Sequence, residues 1–280
     1  MYQSKKKFPV ALQLYSLRQS AEKDLAATLA LVRSMGYDAL ELAGLYGRTA
    51  EEMRDAVHAA GLVAISAHVP YVELAADMAG TVQKYKTIGC KYIAIPYLNA
   101  EHRPGSSGYA DVLENFRALG KICNDSGITL LYHNHDFEFM PLADGRLALD
   151  ALYEEIPAEL LQTEIDTCWV KVAGHDPAEY IRKYAGRSPL VHLKDFHLQG
   201  ALDYTPYELI GIRNSGAKTF DDIFSFRPLG QGMQDIPAIL DASAYAEAQW
   251  VVVELDAPSP NATPEDDVRN SIDYLRSIGL

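Results

Sequence analysis

The chain is short of cysteines, of long apolar runs and of basic residues, and each shortage removes a class of function. Its 280 residues contain three cysteines, Cys90, Cys123 and Cys168, with no CxxC spacing. That usage fits a reducing compartment rather than a disulfide framework. No activating partner stands beside any of the three, which argues against a catalytic thiol. No stretch approaches the roughly 20 apolar residues of a membrane helix. The apolar run after Lys5, Lys6 and Lys7 is short and interrupted by Gln13 and Arg18, so it is not a signal-peptide core. A cytoplasmic protein with no membrane partner is expected. Acids outnumber bases by 38 to 25, a formal charge of −13. A nucleic-acid binder needs a basic surface to replace counterions, so none is expected here. No glycine-rich fingerprint follows the first strand-like run, which leaves no support for a dinucleotide or a phosphorylated substrate.

What is present is a regular alternation. Hydrophobic residues make up 48% of the chain and charged ones 22%, ordinary values for a soluble globular enzyme. Short apolar runs fall at residues 10–15, 39–43, 63–68, 92–97, 128–133, 160–166, 190–195 and 250–256. Longer amphipathic stretches at 25–35, 50–60, 71–88, 109–126, 147–156, 177–184, 236–245 and 265–278 separate and follow them. Glycine closes several of the helical stretches, as at Gly36 and Gly89, where the left-handed position after a helix costs it nothing. Strands alternating with helices predict a parallel sheet. The choice lies between a closed (β/α)₈ TIM barrel, an α/β fold of roughly 250 residues, and an open doubly wound sheet. The missing dinucleotide fingerprint favours the barrel. The expectation is a single domain over residues 1–280. One connection is too long for the pattern: residues 197–235 read as a loop insertion on the C-terminal rim after strand seven. Loops of such length are usually functional. Its Tyr204, Tyr207, Phe220, Phe224 and Phe226 suit a cap over a pocket or a contact with a neighbouring subunit in a homo-oligomer.

The chemistry gathers where strands end. Strand two ends at Glu41 and strand three at His68. Strand five runs into Tyr132-His133-Asn134-His135-Asp136-Phe137-Glu138, strand six into Glu164-Ile165-Asp166, strand seven into His192-Leu193-Lys194-Asp195 and strand eight into Glu254-Leu255-Asp256. Alternation puts Glu164 with Asp166, His192 with Lys194, and Glu254 with Asp256 on common faces. Any one of these residues alone is more simply a packed histidine or a salt-bridge partner. Together, from neighbouring strands at one rim, they form a set of carboxylates that would repel one another unless they shared protons or a cation. Mixed carboxylate and imidazole ligands suit Mn²⁺, Co²⁺, Fe²⁺ or Zn²⁺, with Mg²⁺ left open.

These segments, with Gln13-Leu14-Tyr15-Ser16-Leu17-Arg18 in strand one, resemble the xylose-isomerase-like barrels over residues 10–280. That sugar isomerase/epimerase superfamily also contains inosose dehydratases, tagatose-type epimerases and the endonuclease IV group. The His-Asn-His-x-Phe-Glu-Phe segment at 133–139 carries most of the resemblance. It implies one divalent metal held by Asp166, His192 and Glu254, with Glu138 as first ligand and His133 as the alternative. Epimerase-like members have a glutamate where this chain has Tyr132 and His133, so a two-glutamate epimerisation loses one of its acids. The endonuclease IV reading lacks ligands and a basic rim. The implied chemistry is proton abstraction beside a carbonyl of a sugar or cyclitol, with His133, His135 and Glu164 as acid–base candidates and Lys194 at the oxyanion. Gln13, Glu41 and His68 would hold substrate hydroxyls. The outcome is isomerisation or epimerisation, with dehydration or hydration of a keto-inositol or keto-sugar as the rival. A non-catalytic sugar-binding barrel is the third reading.

Overall fold

A computed structural model describes residues 6–200 and 224–280. Eight parallel strands close into a barrel: β1 (Val10–Gln13), β2 (Ala39–Ala43), β3 (Val63–His68), β4 (Tyr92–Ile95), β5 (Thr129–His133), β6 (Gln162–Asp166), β7 (Leu190–Leu193) and β10 (Trp250–Val253). The closing pair is β1 with β10, through Val10↔Val251 and Leu12↔Val253. Closure decides between the two architectures that the alternation left open. Parallel strands covered on both faces read as nearly continuous apolar runs, as in the fully buried β1 and β7.

The interior of the barrel is filled by one apolar layer: Ala11, Ala39, Ile65, Ala94, Leu131, Leu190 and Val252. Their outward neighbours, such as Leu12, Leu40, Leu130, Val191 and Val251, belong to the larger core between strands and helices. The period of two then determines what comes next. Two residues beyond Ala11, Ala39, Leu131, Leu190 and Val252 stand Gln13, Glu41, His133, His192 and Glu254. The polar ring therefore lies directly on the apolar layer, at the C-terminal mouth. In β3 the pairing with β2 shifts between Leu40 and Glu41, so that Glu41 pairs with Ser66 and Ala43 with His68. This brings His68 to the same ring.

The elements depart from the periodic pattern in several places. The first apolar run stops at Gln13 and turns into a 3₁₀ helix, Leu14–Leu17, because the Gln13 side chain accepts from Tyr15 N. The long helix expected over 71–88 is two, Tyr71–Ala76 and Met78–Ile88, with Asp77 capping the second through Gly80 N. The seventh run also divides. After Leu193 the chain leaves the barrel, and β8 (Asp195–Leu198) pairs antiparallel with β9 (Phe224–Arg227). The middle of the expected insertion, residues 201–223 with Tyr204, Tyr207 and Phe220, lies outside the described residues. Its described flank packs inward. Phe224 stacks on Phe196 at 5.2 Å and on Trp169 at 6.1 Å, and Phe226 meets Trp169 edge-on. Among the described residues, no helix is long and apolar enough to cross a membrane.

Candidate functional site

Register brings the polar strand ends side by side. His133 pairs with Glu164, Asp166 with His192, and His192 with Val252, two residues before Glu254. Asn134 locks the ends of β5 and β6 together, donating from Nδ2 to Asp166 O and accepting at Oδ1 from Asp166 N. Asp166 also begins the helix Thr167–Val172, its Oδ1 accepting from Cys168 N and Trp169 N. That leaves Oδ2 to face the mouth.

Two imidazoles, those of His133 and His192, stand at the centre with ring centroids 4.7 Å apart. Each turns its two nitrogens to different sides. On one side, His133 Nδ1 lies 3.1 Å from Glu164 Oε2, and His192 Nε2 lies 2.7 Å from Glu41 Oε2 and 3.4 Å from Glu164 Oε2. His68 Nε2 closes this side at 2.7 Å from Glu164 and 3.1 Å from Glu41. Gln13 Nε2 donates to Glu41 Oε2 at 2.8 Å. On the other side, His133 Nε2 lies 3.6 Å from Asp166 Oδ2, and His192 Nδ1 lies 3.1 Å from Glu254 Oε2. Lys194 Nζ fills this side at 3.0 Å from Asp166 Oδ2, 2.7 Å from Glu254 Oε2 and 3.1 Å from both oxygens of Asp256.

Two overlapping groups among the described residues offer one ligand atom each within 4.8 Å of one another: His133, Asp166, His192 and Glu254, and His68, His133, Glu164 and His192. Ligand bonds of about 2.0–2.3 Å bring two donors on one ion to about this separation. Asp166, His192 and Glu254 therefore come together, and His133 stands with them. Glu138 does not. The backbone turns into a short 3₁₀ helix at Phe137–Phe139, and both carboxylate oxygens are engaged. Tyr132 OH donates to Oε1 at 2.6 Å and His135 N to Oε2 at 2.7 Å. Buried mixed imidazole and carboxylate donors at this spacing fit a divalent ion. Among the described residues, Glu41 Oε1 and Glu164 Oε1 are buried without a hydrogen-bond partner, which leaves acceptor capacity at the same mouth.

Residues 29–278 match the model of the xylose isomerase-like TIM barrel family. The chain belongs to that family. It is 22% identical over 272 residues to an inosose dehydratase of Geobacillus kaustophilus (strain HTA426), an alignment covering 88% of this chain and 85% of that protein. The fold matches a sugar phosphate isomerase/epimerase from Parabacteroides distasonis ATCC 8503 with a TM-score of 0.75, at 22% identity and covering 99% of this chain and 96% of that one. It also matches IOLI protein with a bound zinc atom with a TM-score of 0.67, at 14% identity and covering 97% and 98% of the two chains.

Within this xylose isomerase-like barrel, the charges are balanced by side chains on each side of the imidazole pair. Burial opposes a charge on His68, but Glu41 and Glu164 outweigh it and push its pKa up to about 10. His192 rises in the same way, against its burial, through Glu164 and Glu41. His133 goes down, through burial and then the charge of its neighbours His192 and His68. Burial would likewise raise Glu41, yet His68 and His192 hold it well below the usual carboxylate range. Glu164 is raised, by burial and by Glu41. His135, close to His133 with centroids 5.1 Å apart, lies parallel to Phe137 and is kept neutral by burial and by Lys194. Glu138 is pushed up to about 8 by burial.

Sequence reasoning passed over two members of this arrangement. Asp256 was visible as the residue two beyond Glu254, but its role as the carboxylate that takes Lys194 with both oxygens appears only once β7 and β10 are neighbours. Asn134 stands between two histidines in the sequence, and its reciprocal bonds to the Asp166 backbone carry no sequence signal.

Proposed function

We propose that this chain is a divalent-metal-dependent enzyme that removes the proton beside the carbonyl of a keto-sugar or keto-cyclitol and expels a β-hydroxyl as water. The observation that carries the reading is the convergence of His133, Asp166, His192 and Glu254 within 4.8 Å, next to a carboxylate, Glu164, that is not in that set. A divalent ion held by the four supplies Lewis acidity to the substrate oxygens beside the labile C–H bond. His133 is then a ligand, and Glu138 is a structural acceptor for Tyr132 and the His135 amide.

Glu164 is the base. Its Oε2 is held by His68 and His133, while Oε1 is the oxygen free to accept a proton. Burial and Glu41 raise its pKa toward the working pH, as general-base catalysis favours. His68, protonated at neutral pH, donates to the leaving hydroxyl. The C–H electrons form the new double bond as the β C–O bond breaks, and one water leaves. Lys194, in contact with Asp166, Glu254 and Asp256, balances charge beside the ion, and His135 is a second candidate for proton transfer. Gln13 and Glu41 orient substrate hydroxyls. The inosose dehydratase likeness, over most of both chains, favours elimination over return of the proton.

One observation favours the second reading, epimerisation or isomerisation. Glu164 and Glu254 contact opposite nitrogens of His192, at 3.4 and 3.1 Å, so one could take a proton and the other return it on a different face. Incubating the metal-loaded protein in D₂O with a panel of keto-inositols and keto-sugars separates the two. Elimination gives a product one water lighter; epimerisation gives an isomer carrying deuterium. Absence of both exchange and product across the panel, with metal content verified, would count against the proposal.

A further inference from the structure

Lys194 is one of the largest fully buried side chains among the described residues. Its ammonium sits between the two carboxylate oxygens that the metal reading needs, Asp166 Oδ2 and Glu254 Oε2, at 3.0 and 2.7 Å. Those oxygens are the same ones that face His133 Nε2 and His192 Nδ1. An ion bound by all four residues would take the same two oxygens that Lys194 Nζ holds, and two cations sharing oxygens in a buried site repel strongly.

We propose that Lys194 is a tethered counter-cation, which holds Asp166 and Glu254 together in the metal-free protein and withdraws onto Asp256 when a divalent ion enters. This rests on the reading of His133, Asp166, His192 and Glu254 as a metal site. Two further observations support it. The first is the charge count. Asp166, Glu254 and Asp256 bring three negative charges to this side and Lys194 brings one positive. A divalent ion matches Asp166 with Glu254, and the ammonium then matches Asp256 alone. The second is geometry. Asp256 faces Lys194 with both oxygens at 3.1 Å, a symmetrical grip that survives when the other two contacts are lost. Trp169 and Phe226 lie over the ammonium at 5.5 and 5.8 Å from their ring centroids, so its withdrawal changes the surroundings of an indole.

The test is a titration of the metal-stripped full chain with Zn²⁺, followed by calorimetry and by tryptophan emission, for the unaltered protein, Lys194→Met and Lys194→Arg. Methionine keeps the length and removes the charge; arginine keeps a competing charge. The expected result is a Kd for Lys194→Met at least about tenfold lower than that of the unaltered protein, with no such gain for Lys194→Arg. The emission change of the unaltered protein on zinc binding should largely disappear in Lys194→Met. In a Lys194→Met background, Asp256→Asn should change affinity much less than it does alone. Should Lys194→Met not fold, Lys194→Gln takes its place, and the emission titration of the unaltered protein stands by itself. Equal or weaker zinc affinity in the uncharged variant, or no tryptophan response on binding, overturns the proposal and leaves the metal reading intact. Failure of every form to bind Zn²⁺, Mn²⁺ or Co²⁺ overturns both.

Discussion

His192 joins two carboxylates through its two ring nitrogens, with Nε2 at 2.7 Å from Glu41 of β2 and Nδ1 at 3.1 Å from Glu254, the residue after β10. An imidazole that gives one nitrogen to a metal usually donates its other N–H to a carboxylate, which fixes tautomer and orientation. Glu41 stands in that position. Glu41→Gln should therefore lower metal affinity about 10–100-fold, measured by competition with a chelator, although Glu41 is not in the four-residue set. Unchanged affinity would mean that the Glu41 contact does not orient the ligand.

Glu164→Gln should separate chemistry from metal binding. The expected loss of turnover on a verified substrate is about 10²–10⁴-fold, with metal content unchanged. Near-normal turnover would shift the base to His135, and His135→Ala would then show the loss.

The metal-free protein should lose stability as pH rises through the alkaline range. The folded-state pKa of His68 is raised to about 10 by Glu41 and Glu164 against its burial, and His192 moves the same way. Groups with raised pKa values stabilise the fold fully below their unfolded value, about 6.5, and that contribution disappears as pH rises through the folded value. Melting temperature measured in chelator should fall between about pH 6.5 and 10, and His68→Gln should flatten the slope. A profile that stays level in the unaltered protein would contradict the charge assignment at Glu41 and Glu164.

Asp195 accepts from four backbone amides, those of Phe196, Gly230, Gly232 and Gln234, and so fastens the chain after β9 to the start of β8. A Cβ at Gly232 would overlap Asp195 Oδ1, so the backbone there is pressed against the carboxylate. Asp195→Ala leaves these amides without their charged acceptor and should cost at least about 3 kcal/mol, read by chemical denaturation. A cost below about 1 kcal/mol would show that water or the relaxed loop replaces the carboxylate without loss.

Much of this architecture is legible in the sequence, for a definite reason. Leu131 and His133, Leu190 and His192, and Val252 and Glu254 are each two residues apart, so the period of two that fills the barrel also builds the ring above it. What does not follow from the period is what happens after a strand stops. His133 ends β5, and the following turn hands Glu138 to Tyr132, an outward-facing residue of the same strand. The family resemblance implies Glu138 as first ligand, and only the turn after β5 shows both its oxygens engaged by Tyr132 and the His135 amide. Contacts across the mouth, such as Glu41 with His192 at 151 residues apart, require the closed barrel. The two-residue offset of Asp256 from Glu254 was visible, but not that Lys194 would lie against it.

The most direct test of the account is the metal content per chain of the purified protein after exhaustive dialysis, compared with His133→Ala, Asp166→Ala and Glu138→Gln. The account predicts about one divalent ion per chain in the unaltered protein, loss of that ion in the His133 and Asp166 variants, and retention in Glu138→Gln. A metal-free unaltered protein after growth and dialysis with Mn²⁺, Co²⁺ or Zn²⁺, or an ion that survives His133→Ala and is lost with Glu138→Gln, would contradict it.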